Sequence, residues 1–128
     1  MRAIDTNILV RYLTADQPDQ ASTARSIITA GDILIPTTVL LECEWVLRSS
    51  YRFAQHDILA ALRGVIGLPG ISVEHPANLA QALDQAEAGM DFADALHLSA
   101  AGNCSAMLTF DRDFIRTAAN APIPVTQP

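Results

Sequence analysis

Apolar positions along the chain follow two rhythms. Short unbroken apolar runs alternate with stretches in which apolar residues return every three or four positions, a pattern that predicts parallel strands wrapped by helices. Residues 2–5 (Arg-Ala-Ile-Asp) read as a first strand, with a helix directly after it over Asn7–Leu13. Pro18 stands near the start of a second helix running to about Ala30, and Gly31-Asp32 turns the chain into the strand Ile33-Leu34-Ile35. Thr37 or Thr38 is placed to cap a helix over Val39–Ser50, and another helix covers Gln55–Ile66. The turn Leu68-Pro69-Gly70 precedes a weak strand at Ile71–Val73. Helices follow over Ala77–Ala88 and Asp91–Ala101, separated by Gly89. Ala106–Phe110 reads as a buried strand that leads into a short helix, and Ile123–Thr126 as a last strand between prolines. There is no repeat, low-complexity tract or linker, so residues 1–128 read as one domain with a doubly wound α/β sheet.

Composition changes this picture in two places. Half of the 128 residues are hydrophobic and 17% are charged, enough for a packed core without staples. Asp5, Asn7 and Arg11 break up the opening residues, which argues against a signal peptide. No apolar run approaches the roughly 18 residues of a membrane span. Cys43 and Cys104 lack metal or redox spacing and read as small core residues of a protein in a reducing cytoplasm. Fourteen acids against eight bases give a net charge of −6, which by itself argues against nucleic-acid binding. A divalent ion among the acids or a basic partner would offset that charge. All eight bases are arginine. Without lysine there is no phosphate-loop lysine, no Schiff base, and no aspartyl-phosphate site of the kind that needs a lysine beside its acids.

Four acids stand where a bare charge needs explaining. Asp5 ends the first predicted strand, and ligands of open α/β sheets bind beyond the carboxyl ends of strands. It reads equally well as a cap for the helix that follows. On a helical wheel Glu42 falls between Trp45 and Val46 in an apolar arc, while Glu44 faces Arg48 at i+4 as a solvated pair. Asp94 lies beside Leu98 and Ala101, with Asp91 on the same face, where Asp91 has the ready role of a cap. His97, at i+3 from Asp94, reads as a polar boundary residue. Asp111 closes the strand Ala-Met-Leu-Thr-Phe-Asp and could cap the next helix, and Asp113 reads as a surface acid or a secondary ligand. Two like charges about 4 Å apart cost roughly 4 kcal/mol at an effective dielectric of 20. Four acids in one crevice therefore call for a counter-charge, and hard oxygen ligands without His or Cys point to Mg²⁺ or Mn²⁺.

The segments AIDTNILVRYL, TTVLLECEWVLRSSY, DFADALHLSAA and LTFDRDF, in this order and spacing, resemble PIN-domain ribonucleases. More narrowly, the chain is similar to the VapC toxins of type II toxin–antitoxin pairs. The resemblance covers nearly the whole chain and implies a PIN-like three-layer α/β/α fold, with a short, mostly parallel sheet of four to five strands and about seven helices. It implies a metal site of Asp5, Glu42, Asp94 and Asp111, with Thr6, Asn7 and Thr109 orienting carboxylates and Asp91 as a further family acid. The implied reaction is phosphodiester hydrolysis assisted by one or two Mg²⁺ (or Mn²⁺) ions, with Asp94 or Asp111 accepting a proton. Arg11, Arg112 and Arg116 are candidate contacts to flanking phosphates, and each also reads as solvated helix surface. The resemblance further implies an RNA substrate, a homodimer, and a VapB-like antitoxin that places a basic side chain in the acidic pocket. DNA would be met only through that antitoxin. Trp45, Tyr51 and Phe53 are candidates for an apolar docking groove, or else core.

Two other functions fit the same residues: a structure-specific DNA nuclease, for which 128 residues leave no room for basic arches, and a non-catalytic PIN-fold binding module, against which the intact acid set argues.

Overall fold

A computed structural model describes residues 1–128. They form two compact units, Met1–Glu74 and His75–Pro128.

In the first unit, β1 (Arg2–Ala3) leads into α1 (Thr6–Thr14) and α2 (Pro18–Ala30), then β2 (Ile33–Ile35), α3 (Thr37–Ser49), α4 (Gln55–Ile66) and β3 (Ile71–Val73). The strands form a parallel sheet in the order β1-β2-β3, with Ala3 opposite Leu34 and Leu34 opposite Ser72. β1 is shorter than predicted, although the Ile4 amide continues its pairing by donating to Leu34 O. Proline at the start of α2 is tolerated because the first N–H of a helix has no partner to lose. The buried faces of the helices carry Leu9, Ile28, Leu40, Leu47, Leu59 and Leu62. One contact fixes where β2 and β3 begin: Gly70, at φ +78°, lies so close to Gly31 that an added Cβ would meet the Gly31 Cα at 2.8 Å.

α3 starts differently from the threonine cap expected of it. Pro36 holds the cap position and offers no side-chain bond. Instead the Thr37 N–H donates to Glu74 Oε1 at 2.7 Å, so an acid just past β3 supplies the charge that the helix N-terminus attracts.

In the second unit, α5 (Pro76–Glu87) packs on α6 (Phe92–Ala100), followed by β4 (Met107–Leu108), α7 (Arg112–Thr117) and β5 (Val125–Thr126). β4 and β5 are parallel, with Met107 opposite Val125. All five predicted strands and all seven helices are present, and the fold is α/β of the PIN-like kind; the strand hydrogen bonds are divided between a sheet of three and a sheet of two. The expected burial of residues 106–110 does not hold: Leu108 and Phe110 are 62% and 82% exposed. A two-residue strand with a single two-residue partner leaves much of its surface uncovered. Cys104, expected in the core, is also exposed, because it lies in the turn beyond the last residues of α6. Cys43 is buried as expected; burial, aided by the neighbouring Glu44 charge, pushes its thiol pKa up to about 12, so it packs as an inert apolar group. No helix is long and apolar enough to cross a membrane.

Candidate functional site

Thr6 joins two of the predicted acids in the first unit. Its backbone N–H donates to Asp5 Oδ1 at 2.7 Å, and its buried hydroxyl donates a short hydrogen bond to Glu42 Oε1. Asp5 occupies the N-cap position of α1, but its side chain takes the N–H of the first helical residue only. A cap normally takes the second or third amide, so Asp5 does the capping work less completely than Asp91 or Asp111. Thr6 was expected to orient a carboxylate, and here it holds Glu42 across 36 residues of sequence.

The helical-wheel reading of α3 is overturned. Glu42 is exposed, and Glu44 is the buried acid at 1% exposure. The stripe that packs inward is Val39, Leu40, Cys43, Glu44 and Leu47, whereas Trp45 is 56% exposed. The pairing of Glu44 with Arg48 is as predicted, with Nε 3.1 Å from each carboxylate oxygen, but it is a buried acid with a half-exposed base rather than a solvated pair. Glu42, being exposed, bears little desolvation cost, so burial does not set it apart. What does so is its link to Asp5 through Thr6, whose hydroxyl donates to Glu42 and whose backbone N–H donates to Asp5.

The second unit carries Asp91, Asp94 and Asp111, and Asp94 feels the charges of the other two. Asp91 caps α6 by accepting from the Asp94 N–H at 3.1 Å. Because α6 begins at Phe92, Asp94 falls in its first turn, where the helix dipole favours a negative charge. Even so, its proton affinity is raised above the ordinary carboxylate value, first by burial and then by the charges of Asp91 and Asp111, with His97 acting in the opposite sense. Asp111 caps α7 in full, accepting from Asp113 N at 2.9 Å and Phe114 N at 3.3 Å. Thr109 sets the backbone there: its hydroxyl oxygen accepts from the Asp111 N–H at 3.0 Å. Asp113 is a surface acid paired with Arg116 at 3.4 Å, both well exposed, so neither is strongly held. Arg112 is exposed at the start of α7.

Arg11 has a role that the sequence reading missed. Its guanidinium donates to Gln20 Oε1 at 2.8 Å, Asp16 Oδ1 at 3.3 Å and the Tyr51 hydroxyl at 3.2 Å. Tyr51 in turn donates to Asp16 Oδ2 at 2.6 Å. Hydrogen bonds from Tyr51 and Thr14, with the Arg11 charge, hold the Asp16 carboxyl below its usual pKa. No local pattern announces this network, since Tyr51 lies 40 residues from Arg11. Asn7 opens, together with Ile8, Arg11, Gln20 and Thr23, onto a pocket of ≈ 370 Å³.

No three acid, histidine or cysteine side chains are grouped closely enough to hold a metal ion as the side chains stand. The donor set offered within each unit is nevertheless all carboxylate, and Asp94 experiences like charges that a cation would relieve. Both features fit a hard divalent ion.

Asp5 and Asp111 each start the helix that follows a short parallel strand, which marks an α/β protein with acids at strand ends. Residues 3–120 match the PIN domain family, and the chain belongs to that family. PIN domains are generally metal-dependent nucleases, typically using divalent ions. No curated protein gives a match to the chain.

Proposed function

We propose that residues 1–128 make one PIN domain that acts as a Mg²⁺-dependent endoribonuclease, with Asp5, Glu42, Asp94 and Asp111 as its metal-holding acids and Mn²⁺ as an acceptable substitute. The observation that carries this reading is a family match that spans 3–120 and so includes all four acids. A bound divalent ion would supply a Lewis acid for the scissile phosphate and for the attacking water. Asp94, whose proton affinity is already raised, is suited to accept the proton of that water. Thr6 fixes the rotamer of Glu42, the α7 amides aim Asp111, and Arg112 is available to a flanking phosphate. Purified protein is expected to cut RNA with Mg²⁺ or Mn²⁺ and to stop in chelator, and Asp5→Asn is expected to be inactive. Cleavage that persists in chelator rejects the metal mechanism.

The same reading makes the chain the toxin of a VapC-type pair, working as a homodimer and neutralised by a VapB-like antitoxin. The net charge of −6 suits a basic inhibitory segment, and exposed Trp45 and Phe53 suit an apolar one. Expression in a bacterial host is expected to arrest growth, with rescue by the adjacent reading frame; normal growth of cells that accumulate the active enzyme rejects the toxin role.

Thr6 offers a milder probe of the site. Thr6→Val keeps the shape and removes the hydroxyl that holds Glu42, and such supporting contacts are worth about 10–100-fold in metal affinity or activity. The expected result is a loss of that size in initial rate at limiting Mg²⁺, partly recovered at high Mg²⁺, with little change in far-UV circular dichroism.

A further inference from the structure

Phe110 is the most exposed of the large apolar side chains, at 82%, and no other ring of the chain lies against it. Exposure alone calls for no explanation, since single apolar residues are common on protein surfaces. The position of this one does. It stands between Thr109 and Asp111 in the second unit, and the backbone is pinned on either side of it. The Thr109 N–H donates to Thr126 O at 3.0 Å, and the Asp111 N–H donates to Thr109 Oγ1 at 3.0 Å. Asp111 is fixed in turn by the Asp113 and Phe114 amides. The ring therefore projects from a held stretch of chain, and a ligand that settles on it has only the side chain to order.

Two neighbours say what the ring is placed to meet. Adjacent Cα atoms are about 3.8 Å apart, so a flat group resting on Phe110 lies beside anything bound at Asp111. Arg112, one residue further, is exposed and has no acid or acceptor of the chain to pair with, unlike Arg11 and Arg116. A bare aromatic face and an unpaired cation on either side of a site carboxylate are the two elements of single-strand recognition. Bases stack on the ring, and the backbone meets the charge. Stacking accepts any base, because every base has a π-face. Leu108, 62% exposed, widens the apolar surface by one side chain, and past the ring come Asp111, Arg112 and Asp113. Such a patch is smaller and more charged than the broad apolar surfaces that mark protein contacts. We infer that Phe110 is a stacking platform for the base of one nucleotide next to the cleaved phosphodiester, with Arg112 on a phosphate beside it. The platform holds single-stranded RNA in place without selecting a base. This rests on the ribonuclease reading and adds to it a residue that grips the substrate.

Binding is read by fluorescence anisotropy with a short, unstructured, end-labelled RNA in Mg²⁺, on the Asp94→Asn background so that the RNA stays whole. Phe110→Ala is expected to weaken binding roughly tenfold, Phe110→Leu nearly as much, and Phe110→Trp to leave it equal or tighter. Because the side chain is exposed, none of these changes opens a cavity, and unchanged melting curves check the fold. Arg112→Gln is expected to lower the slope of log K against log salt by about 0.7, the value for one phosphate contact on a single strand, whereas Phe110→Ala leaves the slope as it was. A single abasic nucleotide moved along the RNA locates the stacked base. At one position it is expected to cost the chain with Phe110 about tenfold and the Phe110→Ala variant nothing further. No effect of Phe110→Ala, or a Phe110→Leu variant that binds as well as phenylalanine, overturns the platform even if the protein cuts RNA. Unaltered RNA binding with a change of oligomeric state by light scattering gives the ring to a second copy, and overturns it too. A wild type that neither binds nor cuts RNA removes the ribonuclease reading and the platform together.

Discussion

Asp94→Asn is expected to lower RNA cleavage by more than about a hundredfold while raising the melting temperature of the metal-free protein. The two effects have one cause. Asp94 is half-buried and under the charges of Asp91 and Asp111, so its ionised form is disfavoured in the folded chain. Asparagine keeps nearly the same shape and removes the charge. Loss of an acid from the first turn of α6 costs a few tenths of a kcal/mol through the helix dipole. Relief from burial and from the Asp91 and Asp111 charges acts in the opposite direction, toward stability. The expected outcome is a modest rise in melting temperature. Calorimetry in chelator reads the stability and initial rates in Mg²⁺ read the activity. A variant that is both inactive and less stable would mean that Asp94 is a structural acid.

The pH dependence follows from the same shift. A carboxyl whose folded pKa is raised binds more protons folded than unfolded, between its ordinary value of 3.8 and the raised one. Its contribution to stability is therefore present at low pH and is lost as pH rises through that window, the reverse of a salt-bridged aspartate. Asp16, held below its usual pKa by Tyr51, Thr14 and Arg11, acts in the opposite direction: its contribution is present above the ordinary carboxylate range and fades as pH falls. Metal occupancy at Asp94 requires the carboxylate, so Mg²⁺ affinity is expected to increase with pH across the window and then level off. Asp94→Asn should flatten the stability profile there and leave the Asp16 contribution in place.

The sequence pattern placed the elements better than it placed the faces. Every helix and strand was legible because each apolar run is bounded by Gly, Pro or a polar cluster, as at Gly31-Asp32 and Leu68-Pro69-Gly70. The face of α3 was not. Val39, Leu40, Leu41, Cys43, Trp45, Val46 and Leu47 surround the helix with apolar side chains, so periodicity alone could not say which arc turns inward. The choice belonged to tertiary packing, which exposed Trp45 and Glu42 and buried Glu44. The same limit applies to α3's first turn, where the acid that receives the Thr37 amide comes from Glu74, 37 residues away. At the candidate site, local chemistry was readable: Asp91 and Asp111 cap the helices they precede, and Thr109 steadies Asp111. The Thr6–Glu42 bond joins α1 to α3 and has no local signal. The resemblance of the segment AIDTN to its family implied that Thr6 orients a carboxylate, but not that the carboxylate is that of Glu42.

Glu44 carries the largest stability effect expected of any single side-chain pair. It is 1% exposed, and Arg48 stands 3.1 Å away with its own side chain 44% exposed. Removing the base leaves a carboxylate among Leu40, Cys43 and Leu47 with its counter-charge gone. For fully buried pairs that loss is about 3–5 kcal/mol; water can reach the open side here, so Arg48→Met is expected to cost about 2–3 kcal/mol, roughly 10 °C in melting temperature. The double variant Glu44→Leu with Arg48→Met tests the physical account. If the cost comes from an unpaired buried charge, the apolar pair should recover most of the stability, because the desolvation of two charges disappears with them. If the ion pair is itself a net stabiliser, the double variant will remain as unstable as the single one. Urea midpoints of the wild type, Arg48→Met, Glu44→Leu and the double variant close the cycle, and the coupling energy measures the pair directly. The wheel reading that took Glu44 for a solvated surface acid predicts no more than a few tenths of a kcal/mol for any of these changes. The two accounts therefore differ several-fold in an ordinary denaturation curve.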